Sequence, residues 1–243
     1  MSDYPAAIWY PAHPSNVLGP PNNNPKGWVL HTPEEPADGY PSTPVWFAQE
    51  HPGQAGSTTY FVSYLGFVYQ CVPEPVGAIA NGVIGKLYPA WADTGISLNR
   101  QTLSVEIEGY AASIAQTLSE AQEKALVDLL AYGCQKYRIP ADRAHIIGHY
   151  EVASNRSDPG TLDINRIVAK VQAALQEDDM ALTEEDLDKI TQRVYILLGG
   201  GNAYNTPMNL ARWIESALNE RVKTLQESPP GTIAGKWEIN PID

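Results

Sequence analysis

Three short apolar segments of the chain each lead into a polar side chain that can bind a metal ion or move a proton. Residues 28–30 end on His31, residues 103–109 carry two carboxylates, and residues 144–148 lead into His149. Short apolar runs rich in branched residues are typical of buried strands. The arrangement predicts a sheet whose strands carry reactive side chains, and it restricts the fold more than any other feature.

Residues 149–160 place a histidine and an aspartate nine positions apart around a predicted turn, Ser157-Asp158-Pro159-Gly160. His31 supplies a third side chain of a type that zinc accepts. Two histidines, one carboxylate and an open fourth position form a hydrolytic zinc site when a separate carboxylate moves the proton. The spacing alone leaves open that His31 and His149 are structural histidines that bind no metal.

A different pair of ligands is suggested by the four-residue spacing of His145 and His149, which one helical face would bring together. However, Ile146 and Ile147 favour a strand, and a glycine within a helix costs about 1 kcal/mol. In a strand, four steps of about 3.3 Å separate the two imidazoles by about 13 Å. Because zinc–ligand distances are about 2 Å, the sequence predicts that His149 binds without His145.

Composition and charge restrict the partners of the chain. Its formal net charge is −12, and no Lys/Arg cluster interrupts it, so nucleic acids and anionic membranes are not expected as partners. No segment approaches the roughly 18 apolar residues of a membrane span, and residues 1–5 lack a secretory profile, which predicts cytoplasmic synthesis. Cys71 and Cys134 lack metal-ligand spacing and are expected to be buried free thiols.

Turn and cap residues predict the elements between these segments. Tyr64-Leu65-Gly66 predicts the turn of a hairpin between residues 58–62 and 67–72, and Ser42-Thr43-Pro44 predicts a helix start with a hydroxyl cap. Two segments lack regular patterns: residues 1–26, rich in Pro and Asn, predict an irregular arm, and residues 73–100 predict a long surface loop.

Two helices are predicted to follow the central strand. Ser119 and Gln122 form a capping-box pattern ahead of an apolar stripe at helical spacing, and Asp163 caps a further helix. The stripe of the first helix consists of Ala125, Leu126, Leu129, Leu130 and Tyr137. A single apolar stripe implies that this helix packs on the sheet.

The order of these motifs resembles the type-2 N-acetylmuramoyl-L-alanine amidases, a family that includes bacteriophage endolysins, muropeptide-recycling amidases and animal peptidoglycan recognition proteins. The resembling segments, in order, are His31, Ser104-Val105-Glu106-Ile107-Glu108-Gly109, Gly148-His149-Tyr150-Glu151-Val152 and Arg156-Ser157-Asp158-Pro159-Gly160. Asn99, Ser57-Thr58-Thr59-Tyr60 and Gly66-Phe67-Val68-Tyr69-Gln70 extend the similarity over about residues 5–175. The resemblance implies an α/β fold with a mixed central sheet flanked by helices, forming a catalytic domain over residues 1–177.

The resemblance also implies a role for each site residue. His31, His149 and Asp158 would bind Zn²⁺, and Glu106 would handle the proton of the attacking water. For Glu108, two positions along the chain, a structural role is favoured. Arg156 would stabilise the reacting oxygen. Asn99 and Thr59 would contact the substrate.

Three departures from the family pattern bear on these roles. Arg156 stands where the family often has lysine, and since a guanidinium is always protonated, it can stabilise an oxyanion but cannot act as a general acid. The family segment Ala-Trp-His-Ala-Gly is replaced by Ala78-Ile79-Ala80-Asn81-Gly82, and Thr59 stands where many relatives have a histidine. The proposed metal ligands are unaffected, whereas substrate binding is expected to differ.

The function that the resemblance implies is zinc-dependent cleavage of the amide bond between N-acetylmuramic acid and L-alanine in peptidoglycan. An endolysin made in the host cytoplasm without a signal peptide and acting on the wall after release is the favoured setting. The alternatives are a cytoplasmic muropeptide-recycling amidase and a non-catalytic peptidoglycan-binding module. Activity on intact walls, and hydrolysis with and without zinc, would distinguish them.

Residues 178–243 have a different pattern and predict a small helical hairpin. One segment follows Thr183, Gly199-Gly200-Gly201 interrupts it, and a second segment follows Thr206-Pro207. Each segment has one apolar stripe, and a hairpin of this size is too small to support its own core. Homo-oligomerisation, wall binding and packing against the catalytic domain remain open as its role.

Overall fold

The computed structural model describes residues 2–19, 21–82 and 88–180, whose strands form one mixed sheet with the order β1-β4-β3-β5-β2-β6. The strands are β1 (Ile8–Trp9), β2 (Gly27–His31), β3 (Tyr60–Val62), β4 (Val68–Gln70), β5 (Thr102–Ile107) and β6 (Ile146–Gly148). Strands β3 and β4 pair antiparallel, and the other neighbours pair parallel. The predicted α/β class with a mixed central sheet is therefore confirmed.

The helices are α1 (Ser42–Phe47), α2 (Ile114–Thr117), α3 (Glu120–Tyr137) and α4 (Ile164–Met180), and short 3₁₀ turns occur at Pro14–Asn16, Leu98–Arg100 and His149–Glu151. The two long helices, α3 and α4, cover one face of the sheet and bury its main apolar core. At Gly133 of α3, a Cβ atom would overlap the indole of Trp28 in β2. Glycine therefore permits the close approach of the helix to the sheet.

The alternation of side chains along β2 assigns the two faces of the sheet. Trp28 and Leu30 belong to the core beneath the helices, whereas Val29 packs with Ile147 and Leu98 on the opposite face. His31 has the same orientation as Val29, because alternate residues of a strand point to the same side. The candidate site residue His31 therefore lies on the face that the two long helices leave free.

The predicted hairpin and two predicted helix caps are confirmed. Gly66 has a positive φ of 82° in the turn between β3 and β4, a conformation that glycine adopts without strain. The Ser119 hydroxyl accepts the backbone N–H of Gln122 at 3.0 Å, and the Asp163 carboxylate accepts that of Arg166 at 3.0 Å. The second half of the capping box is absent: the Gln122 amide donates instead to backbone carbonyls of the neighbouring strands.

The start of α1 is where the sequence predicts it, but its cap is different. Pro41 is the N-cap residue, and it makes no side-chain cap hydrogen bond. The hydroxyls of Ser42 and Thr43 donate to the carboxylate of Glu35. The two hydroxyls therefore bind a carboxylate outside the helix and do not form the cap that the sequence predicts.

The N-terminal arm is less irregular than predicted. Ile8 and Trp9 form β1 at the edge of the sheet, parallel to Tyr69 and Gln70. The backbone N–H of Tyr10 extends the pairing with a hydrogen bond of 2.9 Å to the Gln70 carbonyl. A strand of two residues is too short to show alternation of apolar and polar residues, which is why the sequence pattern does not reveal it.

Both cysteines are free and buried, as predicted. Burial raises the pKa of the Cys71 thiol well above its ordinary value and that of Cys134 to about 12. Among residues 2–19, 21–82 and 88–180, no helix has the length and apolar character needed to cross a membrane. The predicted C-terminal hairpin lies outside the described residues.

Candidate metal centre and active site

Three neighbouring parallel strands, β5, β2 and β6, bring their carboxyl ends to one edge of the sheet. His31 is the last residue of β2 and the register partner of Glu106 in β5. His149 directly follows the last residue of β6. Sheet register therefore brings together two histidines that are 118 positions apart in the sequence.

Asp158 reaches the same place through the chain that follows His149. The backbone N–H of Tyr150 donates to the Asp158 carbonyl at 3.0 Å, which holds the returning segment beside the 3₁₀ turn. Gly160 has a positive φ of 56°, and a Cβ atom there would overlap the backbone of Ala111. Glycine therefore allows this segment to lie close enough to present Asp158 to the two histidines.

Three polar atoms form a compact triangle. Asp158 Oδ2 lies 3.2 Å from His31 Nδ1 and 3.1 Å from His149 Nδ1, and the two Nδ1 atoms are 3.1 Å apart. Ligands bound tetrahedrally at 2.0–2.2 Å from a zinc ion are separated by about 3.3 Å. Among the described residues, these three side chains form a group that could hold a metal ion. Both their spacing and their chemistry fit one tetrahedral metal ion.

His145 lies apart from this triangle, as the sequence predicts. Its Nδ1 is 2.7 Å from the Asp142 carboxylate, and its ring stacks on Trp91 at a centroid distance of 5.9 Å. The imidazole of His145 therefore contacts residues near the start of β6 and not the metal-ligand candidates. A variant of His145 can serve as a control for a variant of His149.

The charges of the triangle stabilise one another. Burial opposes ionisation of Asp158, but the neighbouring imidazoles of His149 and His31 outweigh it and hold the pKa of Asp158 below its ordinary range. Burial lowers the pKa of His31 although Asp158 acts in the opposite direction. The site therefore favours an ionised carboxylate beside a neutral His31, which are the forms that bind a metal ion.

Glu106 lies beside the triangle with one oxygen unused. Its Oε2 atom is buried and has no hydrogen-bond partner in the described part of the chain. Burial and the carboxylates of Asp158, Glu35 and Glu34 raise the pKa of Glu106 well above its ordinary value, whereas Arg156 lowers it. A carboxyl group with a raised pKa and a free oxygen is suited to accept and release a proton.

Arg156 is exposed, and its charge acts on Glu106 from the segment between His149 and Asp158. The structure therefore brings His31, Glu106, His149 and Asp158 to one edge of the sheet, and Arg156 lies within range of a charge interaction with Glu106.

Glu108 has surroundings unlike those of Glu106. It is completely buried, and its two oxygens accept the backbone N–H groups of Asp38 at 2.7 Å, Gly39 at 2.6 Å and Tyr64 at 2.7 Å. These bonds tie the loop after β2 and the turn of the hairpin to the end of β5. The contacts agree with the structural role favoured for Glu108 from the sequence.

Asn99 and Thr59, the predicted substrate contacts, have internal hydrogen-bond partners, and their contact with a substrate stays a prediction. Thr59 is 1% exposed, and its hydroxyl lies 3.3 Å from that of Ser104 on the neighbouring strand. The Asn99 Oδ1 atom accepts the backbone N–H groups of Asn81 at 2.6 Å and Ala80 at 3.2 Å.

Two residues of the site were not identified from the sequence. Asn81 is 5% exposed, and its Oδ1 lies 3.0 Å from Nε2 of His31. Glu35 lines a cavity of about 400 Å³ that also includes Glu106 and the half-exposed ring of Trp46. The signal for Asn81 was its place in a segment that departs from the family pattern, whereas Glu35 lies in a loop without regular patterning.

Comparison with known proteins identifies the family to which the sequence is similar. Residues 21–161 match the family model described as N-acetylmuramoyl-L-alanine amidase. A curated protein, WASH complex subunit 2 from Pongo abelii, is 30% identical over 122 residues, which are 46% of this chain and 9% of that protein. Because the chain spans so little of that relative, the match carries no inference about function.

Solved structures share the fold. The crystal structure of a selenomethionine AmpD derivative aligns with a TM-score of 0.55 and 23% identity, covering 70% of this chain and 99% of that chain. LysCS, an endolysin N-acetylmuramoyl-L-alanine amidase from Clostridium intestinale URNW, aligns with a TM-score of 0.50 and 19% identity, covering 71% and 99%. The E90A mutant of PlyL aligns with a TM-score of 0.50 and 20% identity, covering 69% and 98%. Since the family model matches more than half of the sequence, the chain belongs to the N-acetylmuramoyl-L-alanine amidase family.

Proposed function

We propose that this protein is a zinc-dependent amidase that hydrolyses the bond between the lactyl group of N-acetylmuramic acid and L-alanine in peptidoglycan. The observation that carries the proposal is the triangle of His31, His149 and Asp158 with Glu106 beside it, in a chain of the amidase family. A non-catalytic binding module has no need for a free carboxyl group with a raised pKa next to three convergent metal ligands.

In this proposal, His31, His149 and Asp158 hold the zinc ion through Nδ1, Nδ1 and Oδ2. A bound zinc ion would supply Lewis acidity, which activates water for attack and polarises the amide carbonyl. Both histidines are almost completely buried, so packing limits the motion of their rings.

Glu106 acts as the proton carrier. Its free Oε2 accepts the proton of the water that attacks the amide carbonyl carbon, and it then gives this proton to the nitrogen of L-alanine as the C–N bond breaks. Arg156 keeps its charge throughout and stabilises the negative charge that develops on the carbonyl oxygen. We place the substrate in the cavity between Glu106 and Trp46, whose ring offers an apolar surface to the sugar or peptide.

The favoured setting is an endolysin that acts on the wall after release from the host cytoplasm. The similarity of the fold to LysCS, an endolysin, supports this setting. A muropeptide-recycling amidase is the alternative, and it differs in its substrate. Activity on intact walls distinguishes the endolysin, since a recycling enzyme acts on soluble fragments only.

Digestion of purified peptidoglycan is expected to release intact stem peptides with a free L-alanine amine and to leave a free lactyl carboxylate on the sugar. A zinc chelator should abolish the release, and added zinc should restore it, because the triangle provides no other electrophile for the carbonyl. Mass spectrometry of the products measures both effects. Cleavage of a glycosidic or peptide–peptide bond, or binding to the wall without any product, would refute the proposed function.

We further propose that residues 1–177 form the catalytic domain and that residues 178–243 mediate self-association. Acidic residues outnumber basic ones in the tail, so attraction to anionic wall polymers is not its driving force. A chain that ends at Met180 keeps the whole of α4 and is expected to sediment as a monomer that still hydrolyses soluble muropeptide, whereas the full chain sediments as an oligomer. Equal sedimentation of the two chains would exclude this role.

A further inference from the structure

The ring nitrogen of His31 that faces away from the other candidate ligands is held by Asn81. The Asn81 Oδ1 atom lies 3.0 Å from His31 Nε2, and Asn81 is 5% exposed. On the other side of the same ring, Nδ1 faces Asp158 and His149. The contact with Asn81 therefore bears on which of the two ring nitrogens carries the proton.

The orientation of the Asn81 amide follows from its second partner. Asn81 Nδ2 lies 2.7 Å from the Thr102 hydroxyl, and this hydroxyl lies 2.9 Å from the carbonyl oxygen of Leu98. A carbonyl oxygen can only accept, so the single hydroxyl proton of Thr102 points to Leu98. The hydroxyl oxygen must then accept from Asn81, which requires the amide nitrogen at that end and the amide oxygen at His31.

The consequence for His31 is a fixed tautomer. Because the Asn81 oxygen can only accept, Nε2 of His31 carries the proton, and Nδ1 of the neutral ring keeps its lone pair. Asp158 Oδ2, 3.2 Å from Nδ1, would by itself attract a proton to that nitrogen, so the Asn81 oxygen at Nε2 is the group that keeps Nδ1 unprotonated.

The backbone around Asn81 is fixed by the same turn that orients its amide. Asn99 lies in the 3₁₀ turn Leu98–Arg100, and its Oδ1 accepts the backbone N–H of Asn81 at 2.6 Å. The same turn supplies the Leu98 carbonyl to which Thr102 donates. His149 has no comparable support, because its Nε2 is buried without a partner in the described residues.

We propose that Asn81 is a positioning residue that keeps Nδ1 of His31 free to bind the metal ion, through the chain of hydrogen bonds from Leu98 to Thr102 to Asn81 to His31. The inference rests on the proposed function, and it assigns to this chain's own Asn81 the orientation of one metal ligand. Hydrogen bonds to the outer nitrogen of a metal-binding histidine typically change metal affinity by 10–100-fold.

The test compares Asn81→Leu, which removes the acceptor at similar volume, with Asn81→Asp, which keeps an acceptor. In the metal-free full chain, ¹⁵N spectra of the imidazoles should show His31 protonated at Nε2 in the wild type and in Asn81→Asp, but a mixture of tautomers in Asn81→Leu. The zinc dissociation constant of Asn81→Leu should rise by about 10–100-fold, whereas that of Asn81→Asp should not rise, because the carboxylate keeps an acceptor at Nε2 and adds a negative charge.

Asn16→Leu is the matched control. Asn16 is completely buried, and its amide donates to the carbonyls of Phe47 and Gln49 at 2.8 Å. Its loss should lower the melting temperature without changing the His31 spectrum or the zinc affinity.

An unchanged His31 tautomer and zinc affinity in Asn81→Leu, or equal weakening in Asn81→Asp, would overturn the inference. A wild-type chain without zinc affinity would overturn it together with the proposed function. Normal zinc affinity without amidase activity would overturn the proposed function alone.

Discussion

His149→Ala is expected to remove both metal binding and hydrolysis while the sheet stays folded. The substitution deletes one corner of a triangle whose sides are 3.1–3.2 Å, and two protein ligands hold zinc much more weakly than three. The turn itself should persist, because the backbone carbonyl of His149 accepts the N–H groups of Val152 and Ala153 whatever the side chain. Metal analysis after dialysis, amidase activity and circular dichroism measure the three effects.

His145→Ala is the matched control for this variant. The two histidines flank β6, but the ring of His145 contacts Asp142 and Trp91. Its removal should leave the zinc content and the rate of hydrolysis at wild-type values. The assignment of His149 is wrong if both variants retain the zinc content of the wild type.

The strands of the site were predictable from the sequence because their signals are local. Apolar runs marked β2, β5 and β6, and the glycine of a tight turn marked the hairpin. The meeting of His31 and His149 has no local signal, since register across β2 and β6 brings them together. The order of motifs shared with the amidase family, and not the spacing of the residues, supplied that long-range information.

The hydrogen-bond partners of polar side chains were harder to predict where both a local and a distant partner are within reach. Gln122 and the hydroxyls of Ser42 and Thr43 were expected to cap their own helices, but they bind groups on other elements. A polar side chain gains a similar free energy from either partner, so tertiary geometry decides between them. Asn99 shows the same limit: its position was identified, but its partner, the backbone of Asn81, depends on how two loops meet.

The contrast between Glu106 and Glu108 leads to a paired prediction. The two carboxylates stand two positions apart, yet one has a free oxygen and the other accepts three backbone N–H groups. Glu108→Gln replaces one acceptor oxygen with a donor that faces an N–H group, which should lower the free energy of unfolding by about 1–3 kcal/mol. Its effect on kcat should be small, because the side chain is buried beneath the loop that it holds.

Glu106→Gln should show the opposite pattern. The amide keeps the shape of the carboxyl group but cannot carry the proton, so kcat should fall by roughly 10²- to 10⁴-fold while the zinc content is unchanged. Because the pKa of Glu106 in the folded chain lies above its ordinary value, its ionisation costs folding free energy. This cost is absent below the ordinary pKa and grows as the pH rises through the raised pKa.

Metal-free Glu106→Gln should therefore be at least as stable as the wild type at neutral pH, and its advantage should shrink as the pH is lowered. Thermal unfolding of both variants between neutral and acidic pH measures the stability effects, and kcat on soluble muropeptide measures the catalytic effects. Glu106→Gln should lose mainly kcat, and Glu108→Gln should lose mainly stability. A large loss of kcat in Glu108→Gln with near-normal turnover in Glu106→Gln would move the proton-carrying role to Glu108. Loss of zinc from Glu106→Gln would instead make Glu106 a metal ligand, although it lies outside the three side chains whose ligand atoms converge.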